Sequence, residues 1–198
     1  MAEIRDRIEV KDGTIYMSRP GYYFGYGIHS DIDIVEAIVG HPVVAELGVH
    51  ASGLNLVVQE LDQIPEIVSD ELGGKSAQQV IAESNFPSFS SYGLRGSENR
   101  SDLVEGTLYE IGMYDALALA HFDIAGPQLG DAAWRYWYHG IELSDGRKVM
   151  TLNIGNDQPV DRVVSGEGYN PFLNGKEATL SVVQSAMDQY WEGFDQES

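Results

Sequence analysis

The stretch from Ala133 to Ile154, Ala-Trp-Arg-Tyr-Trp-Tyr-His-Gly-Ile-Glu-Leu-Ser-Asp-Gly-Arg-Lys-Val-Met-Thr-Leu-Asn-Ile, constrains the fold more than any other part of the chain. Two runs of aromatic, aliphatic and β-branched residues flank Asp145-Gly146, the strongest short-range signal for a β-hairpin. We read it as the central hairpin of an antiparallel sheet. A two-residue turn at Asp145-Gly146 puts Trp137, His139 and Ile141 on one face with Met150, Leu152 and Ile154. A three-residue loop, Ser144-Asp145-Gly146 with a glycine bulge, reverses the parity and gathers Trp134, Tyr136 and Tyr138 onto the aliphatic side. The bulged form collects more apolar surface and is favoured. Either register leaves a tryptophan on the second face, which another layer of the chain or another molecule has to cover.

The rest of the chain supplies partners for such a sheet. Ile8 to Val10 and Thr14 to Met17 flank an Asp12-Gly13 turn and read as a first hairpin ended by Pro20-Gly21. Tyr22, Tyr23, Phe24 and Tyr26 follow among glycines, a pattern read as packing and turn chemistry before a ligand clamp. Residues 30 to 40 predict a short helix, with Ser30 and Asp33 resembling a capping box and Gly40 at the stop. Pro42 to Leu47 predicts another turn of helix, and residues 53 to 61 a strand with Leu54, Leu56 and Val58 on one face. Helices are expected over Pro65 to Leu72, ending at Gly73-Gly74, and over Ser76 to Ser84 with Ser76 as cap. Asn85 to Gly106 reads as a long aromatic-bearing loop, and Thr107 to Tyr114 as a strand.

Asp115 to Ala125 fits a helix or a buried strand equally well. Asn156 to Lys176 is a polar, glycine-rich connection around Arg162-Val-Val164. Thr179 to Phe194 carries Leu180, Val183, Met187, Tyr190, Trp191 and Phe194 at spacings of three and four, the clearest amphipathic helix in the sequence. The expected architecture is therefore α+β: a twisted antiparallel sheet of about five to seven strands, short helices, and the C-terminal helix packed on it. One domain is expected over residues 1–198, a length at which a chain buries roughly 70% of its unfolded surface.

Composition limits the chemistry. The chain has no cysteine, which excludes disulfides, thiolate metal sites and thiol nucleophiles. It carries 31 acidic against 12 basic side chains, a net of -19, and its lysines are only Lys11, Lys75, Lys148 and Lys176. Such a surface is not expected to bind nucleic acid directly, because phosphate neutralisation needs clustered Lys and Arg. Acid excess with scarce lysine suits a protein kept soluble at high salt, where self-repulsion is screened, and equally an ordinary acidic cytoplasmic protein. Neither a cleaved signal peptide nor an apolar run of about 18 residues is visible, so a soluble, cytoplasmic or particle-bound protein without membrane association is expected.

No motif names a reaction. His29, Asp31 and Asp33, with Glu36 and more distant His41 and His50, form the densest set of metal-ligand types. Capping already accounts for Ser30 and Asp33, so these are weak metal candidates. The Gly-x-Ser-x-Gly elbow is absent, and the glycines of Gly166 to Lys176 lack the spacing of a phosphate loop. No cofactor is implied.

Two functional readings remain. The favoured one is a non-catalytic structural or interaction subunit of a homo-oligomeric assembly, such as a virus particle in a salty habitat. Its partners are copies of itself, and its interaction surface is Trp134, Tyr136, Trp137, Tyr138 and Trp191. The alternative is an enzyme or small-ligand-binding protein with a pocket between sheet and helices, using His139, His121, Tyr136, Tyr138 and Asp123 as polar groups.

Overall fold

Strand pairing in the computed structural model confirms the α+β class and relocates the hairpin. Residues 8–11, 14–17, 21–64, 66–83, 91–124, 136–154, 158–164 and 170–196 are described, with the backbone alone at 8–17, 71, 137, 189 and 193–196. Trp134 lies outside them, as does the side chain of Trp137.

The first hairpin forms as expected, β1 (Ile8–Lys11) against β2 (Thr14–Met17), with Ile8 opposite Met17. A five-stranded sheet follows from β3 (Gly21–Gly25), β4 (Val44–Ser52), β7 (Leu103–Ile111), β8 (Tyr136–Glu142) and β9 (Lys148–Ile154). Its order is β4-β7-β3-β9-β8. The hairpin β8-β9 therefore sits at one edge, and the sheet is mixed, because β9 pairs with β3 in parallel while its other pairings are antiparallel. A second sheet, β10-β5-β6, consists of β5 (Leu54–Val58), β6 (Tyr92–Gly96) and β10 (Arg162–Val164).

Ser144-Asp145-Gly146 adopts the bulged loop. Leu143 N–H donates to Arg147 O at 2.8 Å, Gly146 N–H donates to Leu143 O at 2.9 Å, and Gly146 has φ 85°. Only a residue free of Cβ strain adopts that φ without cost. Tyr136 then opposes Ile154 and Tyr138 opposes Leu152, so both tyrosines join the aliphatic face.

The five-stranded sheet is covered on both faces. Tyr23, Tyr109, Ile111, Met150, Leu152 and Ile154 face a core built with α1 (Ile32–Val39), α3 (Met113–Phe122) and α4 (Lys176–Gln196). Their neighbours Phe24, Leu108 and Val149 face the opposite core, shared with Leu56, Val58, Tyr92 and Leu94 of the second sheet. The large sheet also curls until its two edges meet: Ala51 of β4 bridges Leu143, and Ser144 N–H donates to His50 O at 2.8 Å. That contact shields edges that would otherwise invite pairing with another chain.

Several local expectations are corrected. Ser30 is not the cap of α1: Asp31 is, its carboxylate accepting from Asp33 N–H at 3.0 Å, while Ser30 Oγ donates to Gly27 O. Gly40 ends the helix at φ 77° as expected. Residues 44–47 are strand, because pairing with β7 outweighs the helical start that Pro42 suggested. Residues 66–68 are irregular and lead into a 3₁₀ turn, Asp70–Leu72, which Gly73 does stop at φ 65°. The helix α2 (Ala77–Glu83) is capped by Ser76, whose Oγ accepts from Gln79 N–H. Asp115–Ala125 resolves in favour of helix as far as Phe122.

The supposed loop at 85–106 contains β6 and the start of β7. Glycines hid these strands, and Gly106 shows why they are there: a Cβ on it would lie 2.4 Å from Gly25 O and 2.6 Å from the Phe24 ring. Among the described residues no helix is long and apolar enough to cross a membrane.

Candidate functional site

The chain leaves β3 through a tight turn whose tightness is written in Gly25. A Cβ there would stand 2.2 Å from the carbonyl oxygen of His29, so no larger residue fits without moving the turn. The turn continues as a 3₁₀ segment, Gly27–Ser30, and throws His29 inward rather than toward solvent. His29 is only 4% exposed.

Tyrosines fix this turn from several directions. Tyr109 Oη donates to His29 O at 2.9 Å, and Thr107 Oγ1 donates to Ser30 O at 2.7 Å, which ties both backbone carbonyls to β7. Tyr26 Oη donates to Leu152 O at 2.9 Å, and Tyr136 Oη donates to Tyr92 O at 2.5 Å. A cleft is left among them, lined by Tyr23, Tyr26, His29, Ser91, Asp123 and Tyr136 with Gly27, Ile28, Tyr92 and Leu152. Its cavity volume is about 30 Å³.

The ionisable groups at its floor are ordered by charge. Burial, and after it the negative Asp123, push the Tyr23 hydroxyl well above its ordinary range, so Tyr23 keeps its proton. Its Oη lies 2.5 Å from His29 Nδ1. With the phenol as donor, Nδ1 is the acceptor and Nε2 carries the imidazole hydrogen. Nε2 faces Asp123 Oδ1 at 3.6 Å, too long for a hydrogen bond. Asp123 follows the last residue of α3, its side chain 16% exposed.

Four buried side-chain polar atoms lack a hydrogen-bond partner among the described residues: His29 Nε2, Ser91 Oγ, Gln59 Oε1 and His139 Nε2. Two of the four belong to residues that line this one cleft. Orphaned buried polar atoms are rare in folded proteins and call for an explanation. A polar guest held among Asp123, His29 and Ser91 is the chemistry such a floor suits.

The residues singled out from sequence are divided by the fold. His29 turns into the cleft, whereas Asp31 and Asp33 point to the surface and hold Lys176 Nζ at 2.8 and 2.6 Å. The three do not come together, and no metal-holding group of three or more His or acidic residues occurs among the described residues. Of the pocket groups, Asp123 and Tyr136 line the cleft. Tyr138 lies apart, donating to Ala116 O at 2.5 Å, with burial raising its hydroxyl. His121 stacks on Tyr190 at 4.4 Å between ring centroids, and burial holds its imidazole below the usual range. His139 occupies the other face of β8, where burial and then Arg95 lower it.

Tyr23, Tyr26 and Ser91 were missed as site residues. The glycine-tyrosine tract was a signal for the first two; Ser91, at the end of a polar segment, had none.

No protein-family model matches the chain, and no curated protein matches it in sequence. Similar folds do occur among solved structures. One is a gamma-glutamyl cyclotransferase, 11% identical, with 71% of this chain and 69% of that chain covered and a TM-score of 0.44. Another is an uncharacterized protein from Homo sapiens, also 11% identical at TM-score 0.44, with 72% and 70% covered. The likeness does not carry an activity over to this chain.

The expectation of a non-catalytic assembly subunit is corrected by where the fold places its proposed surface: three of its five residues are engaged within the chain, while Trp134 and the Trp137 side chain lie outside the described residues. Tyr136 is buried within the chain, Tyr138 bonds to α3, and Trp191 Nε1 donates to Ile38 O at 3.2 Å. The second face of the hairpin, expected to need another layer of the chain or another molecule, meets the second sheet through Asn153, which bonds Leu94. The virus-particle and salt-habitat readings go with it, and several of the acids they drew on are engaged by Lys176 and Arg147.

Proposed function

We propose that this chain is an enzyme that binds a small polar molecule in the tyrosine-lined cleft and moves a proton at Asp123 and His29. The observation that carries the reading is the convergence of two orphaned buried polar atoms, His29 Nε2 and Ser91 Oγ, on the cleft that Asp123 also lines. Buried polar atoms without protein partners are met by a bound molecule, water in a structural cavity or substrate in an active one.

The roles follow from the protonation pattern. The Asp123 carboxylate is the acceptor, taking a proton from a substrate N–H, O–H or C–H placed against it. His29 Nε2–H is the donor toward the substrate oxygen on which charge develops, and Tyr23 holds the tautomer that keeps this hydrogen on Nε2. Ser91 Oγ positions a second polar group of the guest. Rigid tyrosine walls supply the preorganisation such chemistry needs, because each hydroxyl but that of Tyr23 reaches a backbone carbonyl.

The test is a panel of amino acids, short peptides, sugars and nucleosides incubated with the protein and followed by NMR for consumption. Turnover of a member is expected, with Asp123→Asn and His29→Gln each lowering the rate by about 10²-fold or more, the usual contribution of a positioned acid or base. Turnover unchanged in both variants would overturn the proposal.

A further inference from the structure

We propose that Ile124 is the positioning residue of the cleft carboxylate, an inference that rests on Asp123 and His29 being the reacting pair. Ile124 has φ 54°, the sole positive φ at a non-glycine position among the described residues. It stands one residue past Asp123, the C-cap of α3, and its N–H donates to His121 O at 3.2 Å. This is the helix-terminating position that glycine ordinarily takes, since glycine alone has no Cβ to strain there. A β-branched residue in the left-handed region is an outlier, and it persists only where its surroundings over-determine it.

Those surroundings are a third, separate core. The Ile124 side chain is buried with Ile64 and Ala77, edged by Leu72, Val80 and Ile81. Glycine at 124 would satisfy the turn and leave this core without its central member. The chain instead accepts a strained backbone and receives an anchor, at the position adjoining the carboxylate that faces His29 Nε2 at 3.6 Å. One peptide unit links anchor and carboxylate, so a loosened residue 124 turns Asp123 directly. Strain of this kind gathers at sites where one orientation has to be held. The small core beside α2 thus serves the cleft although it contributes no lining residue to it.

The experiment needs no substrate. The full chain is labelled with ¹⁵N-histidine, and the His29 ring is observed at one fixed pH in the wild type, Asp123→Asn, Ile124→Gly and Ile124→Val. Asp123→Asn is expected to shift the Nε2 resonance. Ile124→Gly is expected to keep cooperative thermal unfolding, because the backbone prefers glycine, while its Nε2 resonance moves toward the Asp123→Asn position or broadens. Ile124→Val, which retains the branched anchor, is expected to keep the wild-type resonance. A wild-type resonance in Ile124→Gly, with Asp123→Asn shifted, overturns the positioning role and leaves the reacting pair standing. An unshifted resonance in Asp123→Asn overturns the pair itself, and the positioning role with it. Should Ile124→Gly fail to fold, Ile64→Ala decides by the same criterion, since it removes the wall on which Ile124 docks and leaves residue 124 intact.

Discussion

Tyr23 shows how much one side chain controls here. It is 1% exposed, stacks beside Tyr109 and sets the hydrogen on His29 through a 2.5 Å contact with Nδ1. Tyr23→Phe keeps the ring and removes the hydroxyl, leaving Nδ1 as a buried acceptor with no donor. The expected cost is about 1–3 kcal/mol in urea unfolding, the desolvation penalty of an unsatisfied buried group. The same variant is expected to release the tautomer, visible as a second set of His29 ring resonances; an unchanged ring spectrum would show that another group fixes it. Burial on this scale is what sequence could not foresee. Tyr23 was legible as apolar packing and His29 as a weak metal candidate, because nothing local says that a 3₁₀ turn points the imidazole inward.

Elements meet through charge as well as packing, and His41 is the clearest case. It follows the C-cap of α1 and reaches the start of α3, with Nδ1 2.9 Å from Pro42 O and Nε2 2.7 Å from Asp115 Oδ1. Both partners are acceptors, so both ring nitrogens donate and the ring is an imidazolium. The Pro42 carbonyl and then the Asp115 carboxylate raise its pKa, with the Glu36 charge adding to them. Asp115 itself is anchored by the Gly112 N–H at 2.7 Å, which closes the N-terminus of α3.

The sign of the pH effect follows. A folded-state pKa above the unfolded value of about 6.5 contributes stability that is fully present below that value and lost as pH rises through the folded pKa. The stability difference between wild type and His41→Gln is therefore expected to be larger at pH 5.5 than at pH 8.5, measured by urea unfolding. A difference that grows with pH would show that the clamp works through another group. Asp115 is the third residue of α3, and Gly112, whose lack of a side chain hides it from cap rules, takes the cap position.

At the scale of the molecule, a buried amide helps join the two sheets. Asn153 of β9 accepts from Leu94 N–H at 2.7 Å and donates to Leu94 O at 3.1 Å, completing the backbone bonding of β6 where no strand partner reaches. Asn153→Ala leaves the Leu94 N–H buried and unpaired, while Leu94 O keeps the Arg95 Nη1 donor at 3.2 Å. A loss of about 1–3 kcal/mol, the cost of one unsatisfied buried group, is expected by denaturant unfolding. A loss under about 1 kcal/mol, the size of an ordinary surface substitution, would show that the other contacts between the sheets hold them without this amide.

The sequence by itself determined the α+β class, the two hairpins, the bulged loop at Gly146, the stop of α1 at Gly40 and the long C-terminal helix. Each of these depends on local backbone chemistry or on a period of hydrophobic residues, and both survive whatever the rest of the chain does. Tertiary structure alone decided that the hairpin lies at an edge, that β9 runs parallel to β3, and that 92–96 and 103–106 are strand. It also decided that His29, Ser91 and Asp123, far apart in the chain, line one cleft while Asp31 and Asp33 turn away to Lys176. Such outcomes depend on long-range pairing and on which polar atoms are left buried, quantities that exist only once the layers have closed on one another.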